Sequence, residues 1–123
     1  MTFGEGRGNK TDPYVRKTLA ELRTRLEIAR LFALRIPWIL GQGRTPNYEA
    51  AMLKIVYGEL QNDIINAGTN VLGLYGLLTE NSKWTVANGQ MEWWYREAPR
   101  DLATRGTCEV MRNIIAGRGL GLP

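Results

Sequence analysis

Two long apolar series, each opened by a capping residue and a proline, limit what this chain can fold into. The first begins at Asp12-Pro13 and sets Val15, Leu19, Leu22, Leu26, Ala29, Ala33 and Ile36 at alternating steps of four and three. Asp12 can accept an N–H of the first turn, and a proline at the first helical position has no hydrogen bond to lose. This spacing is the seam of a helix lying against near-parallel neighbours. Past Ile28, residues Leu31, Phe32 and Leu34 widen the apolar arc, so that half is expected to be buried on several sides. Pro37 removes a donor and crowds the preceding turn, which predicts an end or a kink near Ile36. Gly41-Gln42-Gly43-Arg44 then reads as a turn.

The second series opens at Thr45-Pro46 and continues through Met52, Val56, Leu60, Ile64, Ala67, Val71 and Leu74 or Leu78. A helix over residues 46–78 would be about 50 Å long. It would carry Gly58, Gly68, Gly73 and Gly76, each costing roughly 1 kcal/mol against alanine. Close approach of a neighbouring helix is the reason expected at Gly58 and Gly68. Residues 79–88 are polar and turn-rich, and residues 90–96 predict a short helix ended by Pro99. Trp84, Trp93, Trp94 and Tyr95 either pack across the bundle or meet another subunit.

A last helix has both ends marked. Gly106 or Thr107 serves as N-cap, and Glu109 meets the positive end of the helix dipole. Val110, Met111, Ile114 and Ile115 share a face, and Gly117 and Gly119 lie where the helix should stop. The fold expected is all-α, an antiparallel four-helix bundle. Residues 12–123 form its single domain, and residues 1–11 are a flexible lead-in or a point of truncation.

The chain is 123 residues long, enough for one core. With no histidine, Ser-His-Asp catalysis, Cys-His catalysis and histidine-containing zinc sites are excluded. The lone cysteine, Cys108, excludes an intramolecular disulfide and a thiolate metal cluster; it suits a reducing compartment, so a cytoplasmic location is expected. No run of about 20 apolar residues is present to span a membrane. The net charge of +4 comes from scattered cations with no nucleic-acid motif, and a solvated helix face accounts for them better than nucleic acid does.

Three linked pieces carry a family resemblance: Gly106-Thr107-x-Glu109, Arg112-Asn113-Ile114-Ile115-Ala116, and Gly119-Leu120-Gly121-Leu122-Pro123. Together they resemble the carboxy-terminal signature of the FAD-dependent acyl-CoA dehydrogenases. Tyr95-Arg96 is similar to a pair the family carries before its last helix. The resemblance implies a C-terminal helical domain that contributes to FAD binding and subunit assembly. The implied reaction is α,β-dehydrogenation of an acyl-CoA thioester, in a homo-oligomer or in a hetero-oligomer with a catalytic subunit. The chain alone is expected to be inactive.

The implied cofactor-binding residues are Asn70, Gly73, Leu74, Thr107 and Glu109. Segment Asn70-Val71-Leu72-Gly73-Leu74-Tyr75-Gly76 is similar to the family's Gln-x-x-Gly-Gly-x-Gly segment, which reaches the FAD of a neighbouring subunit. Here Asn70 replaces the glutamine, with one methylene less reach. Leu74 replaces the second glycine, and its side chain would fill space the cofactor or backbone usually occupies. The N–H groups opening the last helix would suit a diphosphate, although capping alone also explains Thr107. Many family members place the catalytic Glu directly before the Gly-Thr pair. Arg105 stands there, and arginine stays protonated, so it cannot act as the base. No catalytic residue is therefore assigned in this chain. Three functions remain open: part of a dehydrogenase, a non-catalytic assembly subunit of a heteromeric one, or a basic helical module with an unrelated ligand.

Overall fold

The structure is a computed structural model that describes residues 12–104 and 106–123. Four α-helices account for most of them: α1 (Pro13–Gly41), α2 (Glu49–Leu72), α3 (Gln90–Ala103) and α4 (Cys108–Ile114). Short 3-10 turns at Gly73–Leu77 and Ala87–Gly89 join α2 to α3, and α4 runs on into a wider π turn at Ile115–Gly119. The expected all-α antiparallel bundle is what forms. Its hub is α2, which packs on α1, α3 and α4.

Each start follows from local chemistry. Asp12 caps α1, accepting the Tyr14 N–H at 2.8 Å, with Pro13 behind it. The chain leaves α1 through backbone bonds from Gln42 and Arg44 to Ile39 and from Gly43 to Leu40. Gly43 has a left-handed φ of 72°. Glycines 58 and 68 do what the sequence implied. A Cβ on Gly58 would lie 2.9 Å from Leu102 Cδ2, and one on Gly68 would lie 2.7 Å from Met91 Cε. These pairs, with Asn62 Nδ2 donating to Ala98 O at 3.4 Å, fix the antiparallel register of α2 on α3.

Several expectations are corrected. Of the end or kink expected near Ile36, the end does not occur: helix α1 carries Pro37 inside it and continues to Gly41. Pro37 and Ala33 are both exposed, so water can serve the carbonyl that proline leaves unpaired. Helix α2 starts at Glu49 rather than Pro46 and ends at Leu72 rather than Leu78. Helix α3 runs through Pro99 to Ala103. Gly117 and Gly119 lie inside the π turn, and closure falls to Gly121, at φ 68°, with Leu122 N–H bonding Ala116 O at 3.0 Å. On α2 the inward residue is Ile65, while Ile64 is exposed.

The buried core is Val15, Ala29, Ile39, Ala51, Leu60, Ile65 and Ala98. It is small because α1 leans chiefly on α2. The second half of α1, expected to be covered on several sides, leaves Leu31 65%, Leu34 53% and Trp38 59% exposed. The aromatic cluster is not spent across the bundle either. Trp84, Trp93, Trp94 and Tyr95 are all exposed, and Trp93 and Trp94 meet only edge to face at 4.9 Å. Residues 1–11 and Arg105, named in the sequence reading, lie outside the described residues.

Candidate cofactor-binding site

At the end of α2 the helix stops because Gly73 turns out of it. Its φ of 58° and ψ of −137° are closed to most side chains, and the space beside its Cα is open. Gly76 is a glycine for a different reason. It is buried, and a Cβ there would sit 3.0 Å from Leu72 Cβ and 3.3 Å from Thr69 Cα. Between them Leu74 projects outward and is 82% exposed. Asn70, in the last turn of α2, is exposed and lines a groove of about 640 Å³ between α1 and α2. Tyr14, Lys17, Arg25, Asp63 and Asn66 line the same groove, and Arg25 pairs with Asp63 across it. The sequence reading missed this groove. Its signal was there as polar residues at positions 14, 18, 21 and 25, one face of α1 beside the apolar seam.

At the start of α4, Gly106 has a φ of 96°, and the methyl of Met111 occupies the place a Cβ would need. Thr107 is the N-cap: its Oγ1 accepts the Val110 N–H at 3.3 Å. The carboxyl of Glu109 is held below the usual carboxylate value, first by its own backbone N–H, then by the Thr107 hydroxyl, with Arg112 adding attraction. Two of the first-turn N–H groups expected to suit a diphosphate, those of Glu109 and Val110, are thus engaged by the Glu109 carboxyl and by Thr107. An ionised carboxylate only accepts hydrogen bonds, so Glu109 suits a hydroxyl or an N–H and repels phosphate.

Two contacts mark the register of α4 on α2. Arg112 Nη2 lies 2.9 Å from Glu59 Oε1 on α2, and Gly119 rests on the Tyr48 ring. This antiparallel register points the start of α4 toward the end of α2 that carries Asn70 and Gly73. Thr107 comes level with about Ile64, roughly 9 Å along the helix axis from Asn70. The two groups of candidate residues thus share one end of the bundle, with no hydrogen bond or ion pair between them among the described residues.

The family model for the acyl-CoA dehydrogenase C-terminal domain matches residues 5–120. The chain belongs to the acyl-CoA dehydrogenase family. Glutaryl-CoA dehydrogenase of Desulfococcus multivorans is 31% identical over 105 residues, covering 85% of this chain and 25% of that protein. Among solved structures, a steroid acyl-CoA dehydrogenase described as Tcur3481–Tcur3483 aligns with a TM-score of 0.84 at 28% identity, covering 92% of this chain and 29% of the other. The ChsE4–ChsE5 complex from Mycobacterium tuberculosis aligns at 0.81 and 26% identity, covering 92% and 29%. The chain thus spans about a quarter of the length of the curated acyl-CoA dehydrogenases it matches.

The two places differ in what they leave open to a flavin cofactor of the kind such dehydrogenases use. At the end of α2 the exposed Asn70 amide, the bare Gly73 backbone and the outward Leu74 leave a surface that a large planar group can approach. At α4 the Glu109 and Val110 N–H groups are engaged within the chain, and Thr107 and Glu109 add acceptor capacity. No helix among the described residues is long and apolar enough to cross a membrane, and no group of three potential metal ligands occurs among them.

Proposed function

We propose that this domain serves an acyl-CoA dehydrogenase by completing its FAD site and holding its subunits together. The enzyme would perform α,β-dehydrogenation of an acyl-CoA thioester. The observation that carries the reading is the surface at the end of α2, where Asn70 and Gly73 stand open on a chain that matches the family over nearly its whole length. Asn70 and the Gly73 backbone would bind the cofactor, Leu74 would border it, and Thr107 and Glu109 would accept its hydroxyl or amide hydrogens. The bound flavin would supply the acceptor for the hydride leaving the β-carbon. The α-proton must go to a carboxylate poised near working pH. Arg105 cannot take it, so that base belongs to another part of the enzyme.

A second reading, a non-catalytic assembly subunit of a heteromeric dehydrogenase, is favoured by the similar solved structures. One of them is the ChsE4–ChsE5 complex, and the other carries the paired name Tcur3481–Tcur3483. The uncovered apolar side chains of α1 and the exposed tryptophans are consistent with it.

The experiment is purification of the chain alone and after co-expression with a catalytic acyl-CoA dehydrogenase chain. The chain alone should be helical by circular dichroism and colourless. The mixture should carry flavin absorbance and reduce an electron acceptor with an acyl-CoA substrate. Stoichiometric flavin on the chain alone would overturn the shared-site reading. A mixture that never binds flavin would overturn the cofactor role.

A further inference from the structure

The chain enters α3 through three successive residues of positive φ: Ala87 at 50°, Asn88 at 54° and Gly89 at 72°. The last two form an Asn-Gly pair, and Asn88 is the only asparagine in the sequence followed by glycine. Asparagine and glycine accept positive φ most readily, while Ala87 is held there by the turn around it. Two hydrogen bonds close that turn. The Gly89 N–H donates to Val86 O at 3.2 Å, and the Thr85 hydroxyl donates to Leu78 O at 3.2 Å. Gly89 is buried against the backbone of Thr79 and Glu80, whereas Asn88 is exposed.

An Asn-Gly pair carries its own reagents. A glycine nitrogen that has lost its proton can attack the side-chain amide carbon of the preceding asparagine, because no Cβ on the glycine blocks the approach. The bond from Gly89 N to Asn88 Cγ forms, the Cγ–Nδ2 bond breaks, ammonia leaves, and a five-membered imide results. Water then opens the imide at either carbonyl. Opening at Cγ restores the chain with an aspartate at this position. Opening at the backbone carbonyl leaves an isoaspartate, whose backbone is longer by a methylene. Either route consumes a water and releases an ammonia.

We infer that Asn88–Gly89 is a self-modification site of this protein and that the turn around it is the gate. In the closed turn the Gly89 nitrogen is held on Val86 O and packed against Thr79 and Glu80, so attack waits on local opening. The isoaspartate product then cannot close again. Gly89 has no room for a displaced chain, since even a Cβ there would lie 2.8 Å from the Thr79 carbonyl carbon. Met91, in the first turn of α3, fills the space beside Gly68 of α2, so a lengthened turn draws α3 off its register. The modification is thus a one-way release of the α2–α3 connection, independent of the cofactor reading.

The test incubates the folded chain, and separately a peptide of residues 84–93, in mildly alkaline buffer. Ammonia release and the mass change at Asn88 after digestion are followed with time. The folded chain should convert, about tenfold or more slowly than the peptide. Thr85→Val removes a hydrogen bond of the turn and should speed the folded chain roughly three- to tenfold, while the same change in the peptide leaves its rate alone. Asn88→Gly accepts positive φ and has no amide to lose, so it should abolish the signal. Asn88→Asp keeps the backbone length and should leave the Gly89 amide protected from hydrogen exchange, whereas the isoaspartate fraction of aged protein should lose that protection. A folded chain that never converts while the peptide does, or one that converts as fast as the peptide, would overturn the inference. So would an unchanged rate in Thr85→Val, or wild-type protection of Gly89 in the isoaspartate fraction.

Discussion

Arg112 of α4 closes on Glu59 of α2, Nη2 to Oε1 at 2.9 Å, while its Nη1 stays 3.9 Å from Glu109. One guanidinium thereby ties the last helix to the hub and offsets the charge in the first turn of α4. Both Arg112 and Glu59 are about half exposed, so the link is worth only about 0.2–1 kcal/mol. Replacement with alanine, Arg112→Ala, should lower the urea midpoint slightly, and the difference from wild type should shrink in high salt. A deficit that high salt leaves unchanged would mean that the aliphatic stem, rather than the charge, holds α4.

Among the described residues, Glu49 is the one buried charged residue, 6% exposed. Its carboxyl is held below its ordinary value of 4.5, first by the Asn47 N–H, 3.0 Å from Oε2, then by its own N–H, with Arg35 and Arg44 adding to this and burial opposing it. A carboxyl lowered in the folded state stabilises the fold above its ordinary value and loses that contribution as pH falls through the lowered one. Stability should therefore decline on acidification below 4.5, and Glu49→Gln should show a shallower decline. Urea midpoints for both proteins, measured on either side of 4.5, check this. Parallel curves would assign the acid sensitivity to other carboxylates.

Glycines 68 and 89 should differ sharply in their tolerance of alanine. At Gly68 the new methyl meets only the end of the flexible Met91 side chain, and the helix regains about 1 kcal/mol of propensity. Gly89 has a φ of 72°, and its Cβ would run into the backbone N of Glu80 and lie 2.8 Å from the carbonyl carbon of Thr79. Gly89→Ala should cost about 1–3 kcal/mol or more, whereas Gly68→Ala should stay within about 1 kcal/mol of wild type. Thermal unfolding of the two variants settles the order, and equal losses would refute the close contact at Gly89.

Thr107→Ala should cost about 1 kcal/mol by removing the cap on α4, and Thr107→Ser should keep most of it. In the flavin-bearing assembly the same pair separates capping from cofactor contact. If Thr107 also accepts a hydrogen from the cofactor, the alanine variant should release flavin at concentrations where the folded assembly persists, and the serine variant should not. Flavin retention in both variants, by absorbance after gel filtration, would leave Thr107 a cap alone.

Much of the architecture was written in local signals. Asp12-Pro13, the four-and-three apolar seam of α1, the crowded glycines of α2 and the Thr107 cap each act within a few residues or declare a neighbour by what they lack. The family signature was equally local. Neither Pro37 nor Pro99 ends its helix, because a proline's cost depends on whether its freed carbonyl can be served, and both sit at exposed positions that water reaches. The end of α2 at Gly73 was hidden because a glycine needed for its backbone angle looks the same in sequence as one needed for close packing, as at Gly76. Sequence periodicity also says which residues share a face and not what covers it. That is why Leu31, Leu34 and Trp38, which pattern as core, stand exposed beside a hub helix that α1 meets on one side only. The convergence of Asn70, Gly73, Thr107 and Glu109 on one end of the bundle was likewise decided by tertiary structure. It follows from the antiparallel register of α4 on α2, marked by the Arg112–Glu59 pair and by Gly119 against Tyr48 across residues far apart in the chain, and no local pattern encodes that register.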